Sequence, residues 1–201
     1  MRALNSDRLH QVIAKEISSM FLDIVKERRS VRKYQNRPVE REKIDLCLEA
    51  SRLAPSACNA QPWKFIVFEN TESKNRLCRT AFSGIYTNSS FAAKAPVIIA
   101  ALNIKGKRLP SLAGRFQGKH YPLIDLGIAG EHLILQATEL GLGTCWVGWF
   151  NAKGVSKILG LSKHEHPIAL IPIGYPAEAR KRPASRKTLE EISFWGMGNR
   201  E

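Results

Sequence analysis

With 201 residues, 44% of them hydrophobic and 24% charged, the chain has the length for one good core and the composition of a soluble globular protein. Its formal charge of +13 is large for that length and raises nucleic acid, membrane surfaces and phosphorylated cofactors as partners. The two densest basic runs, Lys26–Lys33 and Arg180–Lys187, sit at element ends, with no zinc-finger spacing, RNA-binding aromatic signature or long basic tail beside them. A solvated basic surface accounts for most of the excess, and nucleic acid is not the expected partner.

Residues 7–27 place Leu9, Val12, Ile13, Ile17, Met20, Phe21, Ile24 and Val25 at steps of three and four, which predicts an amphipathic helix. Such a helix packs either on its own core or on a partner subunit. Arg28–Tyr34 follows (R-R-S-V-R-K-Y). In an extended segment Arg28, Ser30 and Arg32 share one face. That face reads either as a phosphate grip or as an exposed basic turn. Pro38 opens a second helix, running to about Ala54.

Arg52–Phe68 reads R-L-A-P-S-A-C-N-A-Q-P-W-K-F-I-V-F. It predicts a helix end, an elbow between Pro55 and Pro62, and a strand over Lys64–Glu69. Ser56, Asn59 and Gln61 in the elbow suit the edge of a heteroaromatic ring; the alternative is a plain polar loop. Thr71–Phe82 reads as a polar helix and Ser89–Lys94 as a short one. Pro96–Leu102 shows no alternation and predicts a buried strand. Asn103–Tyr121, basic and glycine-rich, is a candidate lid.

Leu123–Leu140 is apolar nearly all round and predicts the central helix. Asp125, Glu131, His132, Gln136 and Glu139 within or beside it argue against a membrane span. Gly141–Phe150 (G-L-G-T-C-W-V-G-W-F) ends that helix with glycine and starts a strand. Lys153–Leu159 reads as a short helix and Pro167–Gly174 as a core strand, where Pro172 suggests an edge or a bulge. The tail is basic and then aromatic at Phe194 and Trp195. Cys47, Cys58, Cys78 and Cys145 have no C-x-x-C spacing, and Met1–Lys15 lacks an apolar block, so free thiols in a cytoplasmic, reducing setting are expected.

Several chemistries lack their residues. G-L-G-T-C-W follows a helix and has Trp146 where a third glycine would stand, so it is not a dinucleotide fingerprint. His164-Glu165-His166 lacks a third metal ligand in sequence and reads as a polar turn before a strand. His132 reads as a core or interface histidine. Cys145 has no assignable base and reads as a packed thiol.

R-R-S-V-R-K-Y, A-P-S-A-C-N-A-Q-P-W, G-L-G-T-C-W-V-G and S-R-K-T-L-E-E-I, in that order and spacing, closely resemble the nitroreductase family of FMN-dependent oxidoreductases. The match runs from about residue 22 to 195. It implies an α+β fold, with a mostly antiparallel sheet of about five strands flanked by helices. One domain over 1–201 is expected, with 1–21 as an N-terminal helical extension. The resemblance implies an intertwined homodimer with FMN at the interface and a last segment that crosses to the other subunit.

In that family the positions matching Arg28, Arg29, Ser30, Arg32 and Arg186 hold the FMN phosphate and ribityl chain. Those matching Pro55, Ser56, Ala57 and Asn59 contact the flavin from the partner. Those matching Cys145, Trp146, Val147 and Gly148 run along the ring. Gln136 and Lys187 match less closely, and Ala184 stands where some members carry a second basic residue.

The implied reaction passes hydride from NADH or NADPH through FMN to a nitroaromatic, quinone or similar small-molecule acceptor. FMN supplies the hard chemistry, which accounts for the lack of an acid–base pair. Alternatives are a dehalogenating, azoline-oxidising or flavin-fragmenting enzyme of the same fold, and, from another class, a non-catalytic nucleic-acid-binding protein.

Overall fold

The computed structural model of the protein describes residues 20–104, 118–179 and 185–196. The expected helix before Met20, most of the candidate lid and the basic run 180–184 lie outside the described residues. In chain order the elements are α1 (Met20–Glu27), α2 (Arg41–Arg52), a 3-10 turn (Ala57–Asn59), β1 (Trp63–Phe68) and α3 (Thr71–Ala81). A 3-10 segment (Gly84–Lys94), β2 (Val97–Ile104), α4 (Tyr121–Glu139), β3 (Gly143–Thr144), α5 (Ala152–Ile158), β4 (Glu165–Gly174) and α6 (Leu189–Ile192) complete the order.

The strands form a sheet in the order β1-β2-β4-β3, with every pairing antiparallel. Among the described residues the sheet has four strands, against about five expected. Val97–Leu102 is buried without alternation because both faces of the sheet are covered. Val97, Ile99 and Ala101 pack with Ile44, Cys47, Leu126 and Leu133 of α2 and α4. Ile98, Ala100 and Leu102 pack with Leu77, Ala81, Ala92 and Val155 on the opposite face. Burying each large side chain of this kind contributes roughly 1.5–3 kcal/mol.

The strand expected within Gly141–Phe150 is short. Thr144 pairs with Ile173 and Val147 with Leu170, a continuous register that puts Cys145 opposite Pro172. Proline has no N–H to donate there, so the ladder breaks between those pairs. Pro172 therefore lies inside the sheet, at the point where its outer neighbour stops. The irregularity in the β2–β4 pairing comes elsewhere, at Ala101/Leu102 beside Pro167.

Gly141 takes φ +74, its N–H bonds to Thr138 O and the Leu142 N–H bonds to Ala137 O. Two of the orphan carbonyls at the end of α4 are thereby satisfied, and the chain turns directly into β3. The central helix is not buried all round: Leu123 and Ile124 are exposed, as are Phe21 and Leu22 of α1, Leu46 of α2 and Leu53 just after it. Among the described residues, no helix is long and apolar enough to cross a membrane.

Candidate active site

The basic segment after α1 is docked on the edge strand. Ser30 bridges to Thr144 in parallel, and the Val31 N–H donates to Thr144 O at 2.7 Å. Val31 is buried against Gly143, where an added Cβ would lie 2.6 Å from Val31 Cγ2. Only glycine permits that approach. The Tyr34 hydroxyl donates to Val31 O at 2.7 Å, and Gln35 N–H and Ala177 N–H tie the segment to the chain beyond β4. With Val31 facing inward, Ser30 and Arg32 face outward, as the extended segment predicts.

Ser30 and Arg32 come together at Cys145. Burial raises the Cys145 thiol pKa, while Arg32 and a hydrogen bond with Ser30 oppose the rise. The thiol stays neutral and packed within the core. The Arg32 guanidinium also stands 5.8 Å from the centre of the Phe91 ring. Arg28 lies half-buried with Nε 4.0 Å from Glu131 Oε1. The residue before that glutamate, Gly130, faces the Trp146 ring; an added Cβ there would lie 2.2 Å from it. Arg28, Trp146 and the middle of α4 thus share one neighbourhood. Gly148 is exposed, and a Cβ built on it meets nothing within 4 Å, so the strip Cys145–Gly148, buried at Cys145 and Val147, opens onto free space at Gly148.

Arg29 turns another way, donating from Nη2 to Glu178 O. Gln136 lines a groove of about 400 Å³ among α1, α2 and α4, with Phe21, Leu53 and His132, and donates to Glu139 Oε2 at 2.6 Å. His132 is satisfied by Ala50 O at 3.2 Å. Arg186 and Lys187 are exposed, and among the described residues Arg186 donates to its neighbour Ser185 O. Within the described residues, the hydrogen bonds of 185–196 stay inside that segment. Among the described residues, no hydrogen bond or ion pair joins Arg186 to Arg28 or Arg32.

The elbow is a strained turn with a buried support. Cys58, Asn59 and Gln61 have φ of 51, 50 and 48, a region that non-glycine residues enter at a free-energy cost. Asn59 N–H donates to Ser56 O at 3.0 Å, Gln61 N–H to Ser56 Oγ at 2.9 Å, and Ala57 N–H to Asp125 Oδ1 at 3.2 Å. Pro55 and Asn59 are exposed at its surface. Asp125 is only 4% exposed, and its Oδ2 has no hydrogen-bond partner among the described residues.

The sequence reading used Asp125 only against a membrane span. Its signal was an acid near the start of an otherwise apolar helix, because a buried acid needs a donor. Asp125→Ala leaves the Ala57 N–H without its acceptor and should destabilise the fold by about 1–3 kcal/mol. Asp125→Asn keeps an acceptor oxygen and should recover most of that loss in urea unfolding. Equal stability of the alanine variant and the parent would refute the support role.

The family model described as Nitroreductase family matches residues 25–175. A protein of Methanothermobacter thermautotrophicus, provisionally named NADH dehydrogenase/NAD(P)H nitroreductase, is 33% identical over 162 residues, covering 78% of each chain. A crystal structure of a nitroreductase family protein from Clostridium difficile 630 superposes with a TM-score of 0.71 at 32% identity, covering 89% of this chain and 99% of that one. Iodotyrosine deiodinase 1 of Rattus norvegicus is 27% identical over 198 residues, covering 87% of this chain and 69% of that protein. With its basic segment, elbow and glycine-rich strip set on an antiparallel sheet, this chain belongs to the nitroreductase family.

Proposed function

We propose that the protein is a homodimeric, cytoplasmic FMN enzyme that takes hydride from NADH or NADPH and passes it to a small electron-poor acceptor such as a nitroaromatic or quinone. The observation that carries this reading is the meeting of Ser30 and Arg32 at Cys145, three residues before Gly148, where the strip opens onto free space. That is a fit for a flat, anionic cofactor: cations and a hydroxyl on one side, and a glycine without a neighbour where a ring must lie close. When bound, FMN supplies the hydride chemistry.

The chain's own residues then bind and orient. Arg28 and Arg32 offset phosphate charge, and Ser30 donates to a phosphate oxygen. The backbone of the strip faces the ring, and Trp146, braced on Gly130, holds the strip in place. Arg29, Arg186, Lys187 and Gln136 complete the proposed set. Arg186 and Lys187 reach it from the partner's tail, and Pro55, Ser56, Ala57 and Asn59 approach from the partner's elbow. The exposed apolar side chains of α1, α2 and α4 support such pairing, because a face of this kind on a lone protomer leaves large apolar groups in water.

Purified protein should be yellow with a flavin spectrum, and anaerobic NADH or NADPH should bleach it. Bound FMN that neither nicotinamide bleaches would remove the reductase activity while leaving the family intact. The likeness to a deiodinase supports a second reading, reductive dehalogenation. It is tested by offering the reduced protein 3-iodotyrosine beside a nitroaromatic; faster reoxidation by the nitroaromatic is the expected result.

A further inference from the structure

The flavoprotein reading leaves one conspicuous group unused. Trp149 directly follows the open Gly148, yet its side chain is 56% exposed. It is also held: the indole N–H donates to Ile85 O at 3.0 Å, and its ring lies 5.2 Å from that of Tyr86 at an interplanar angle of 52°. The backbone on both sides is fixed. Val147 exchanges both bonds with Leu170, at 3.0 and 2.9 Å, and the Asn151 N–H donates to Ala81 O at 2.9 Å. Ile85, 71% exposed, extends the same apolar surface. The 3-10 segment that carries Ile85 and Tyr86 also carries Phe91, over which Arg32 stands. This aromatic wall therefore borders the proposed cofactor site.

Isolated surface apolar residues are ordinary. Here, however, Trp149 touches the Tyr86 ring and the Ile85 backbone, and the single polar atom of the indole is already satisfied inside the protein. What remains outward is a rigid, electron-rich face with little side-chain entropy left to lose.

We propose that Trp149, braced by Tyr86, forms a stacking subsite that selects flat, electron-poor aromatic acceptors over acceptors that cannot stack. The proposal rests on the flavoprotein reading and adds a specificity residue to it. Aromatic stacking of ordinary strength corresponds to a preference of about tenfold.

The test compares wild type, Trp149→Leu, Trp149→Phe and Tyr86→Leu in the NADH-driven reduction of 2-methyl-1,4-naphthoquinone and of ferricyanide, which accepts electrons without stacking. The ratio of kcat/KM for the quinone to that for ferricyanide should fall about tenfold in Trp149→Leu, carried by the quinone KM. It should stay within about twofold in Trp149→Phe and fall about threefold in Tyr86→Leu. An unmoved ratio in Trp149→Leu overturns the subsite. So does an equal loss in Trp149→Phe, since the indole N–H and not the flat ring would then matter. A colourless wild type that reduces neither acceptor sinks the flavoprotein reading and the subsite together, so the two failures are distinguishable.

Discussion

Arg28→Ala should raise the FMN dissociation constant by roughly tenfold to a hundredfold, the loss expected when a phosphate forfeits one charged donor at about 1.5–3 kcal/mol. Arg28 suits the role because it is half-buried and its nearest acid, Glu131, is 4.0 Å away, too far for a strong pair. Its charge is therefore only partly committed. Arg28→Lys should recover some of the affinity, since the charge survives and the planar fork does not. Fluorescence titration of the apoprotein with FMN measures all three. A change below about threefold for Arg28→Ala would withdraw that arginine from the phosphate site.

Glu131 gives the same neighbourhood a pH dependence. Burial raises its pKa, with Arg28 and His132 opposing the rise. A carboxyl whose folded pKa lies above its unfolded one contributes stability below the unfolded value and loses it as pH rises through the folded value. The Glu131 side chain is half exposed, so solvent screens most of this effect: Glu131→Gln should raise the melting temperature at pH 7 only slightly, while the loss of the acid beside Arg28 should tighten FMN binding.

The parts of the molecule legible from sequence were those governed by local rules. Val97–Leu102 reads as a buried strand because a run covered on both faces needs no polar alternation. Gly141 reads as a helix stop because its positive φ suits glycine. Ser30 and Arg32 share the outward face because Val31 between them is apolar and faces inward, whereas Arg28 is still bonded to Ile24 O at the end of α1. The less legible parts depend on pairings between distant segments. The brevity of β3 follows from Pro172, which lies nearly thirty residues further on and faces Cys145 only once the register is known. The support of the elbow by Asp125 joins residues 68 apart, and no local pattern announces it. Arg29 and Gln136 carry the residue types the site needs, yet Glu178 and Glu139 engage them within the protomer. Motif order identifies the family without settling which of its polar side chains are free.

The tail makes the strongest demand for a second subunit. Leu189, Ile192 and Phe194 are 72%, 67% and 61% exposed, and Trp195 is 95% exposed. Yet the segment is ordered locally by a capping box, in which Thr188 Oγ1 accepts from the Glu191 N–H and the Glu191 carboxylate accepts from the Thr188 N–H. A helix of four residues has no stability of its own, and no described residue covers these four large apolar groups, so we propose that they pack on a partner subunit. Full burial of such side chains contributes roughly 1.5–3 kcal/mol each. Even after the ordering and association costs, removing them should weaken dimerisation by about a hundredfold or more.

Deleting 185–201 should therefore shift the protein toward monomer in sedimentation equilibrium and release its flavin, because Arg186 and Lys187 leave with the segment. Arg186→Ala should separate the two roles, reducing FMN affinity while the dimer persists. A truncated chain that remains dimeric and retains FMN at parental affinity would show that the tail neither clasps the partner nor contributes to its site.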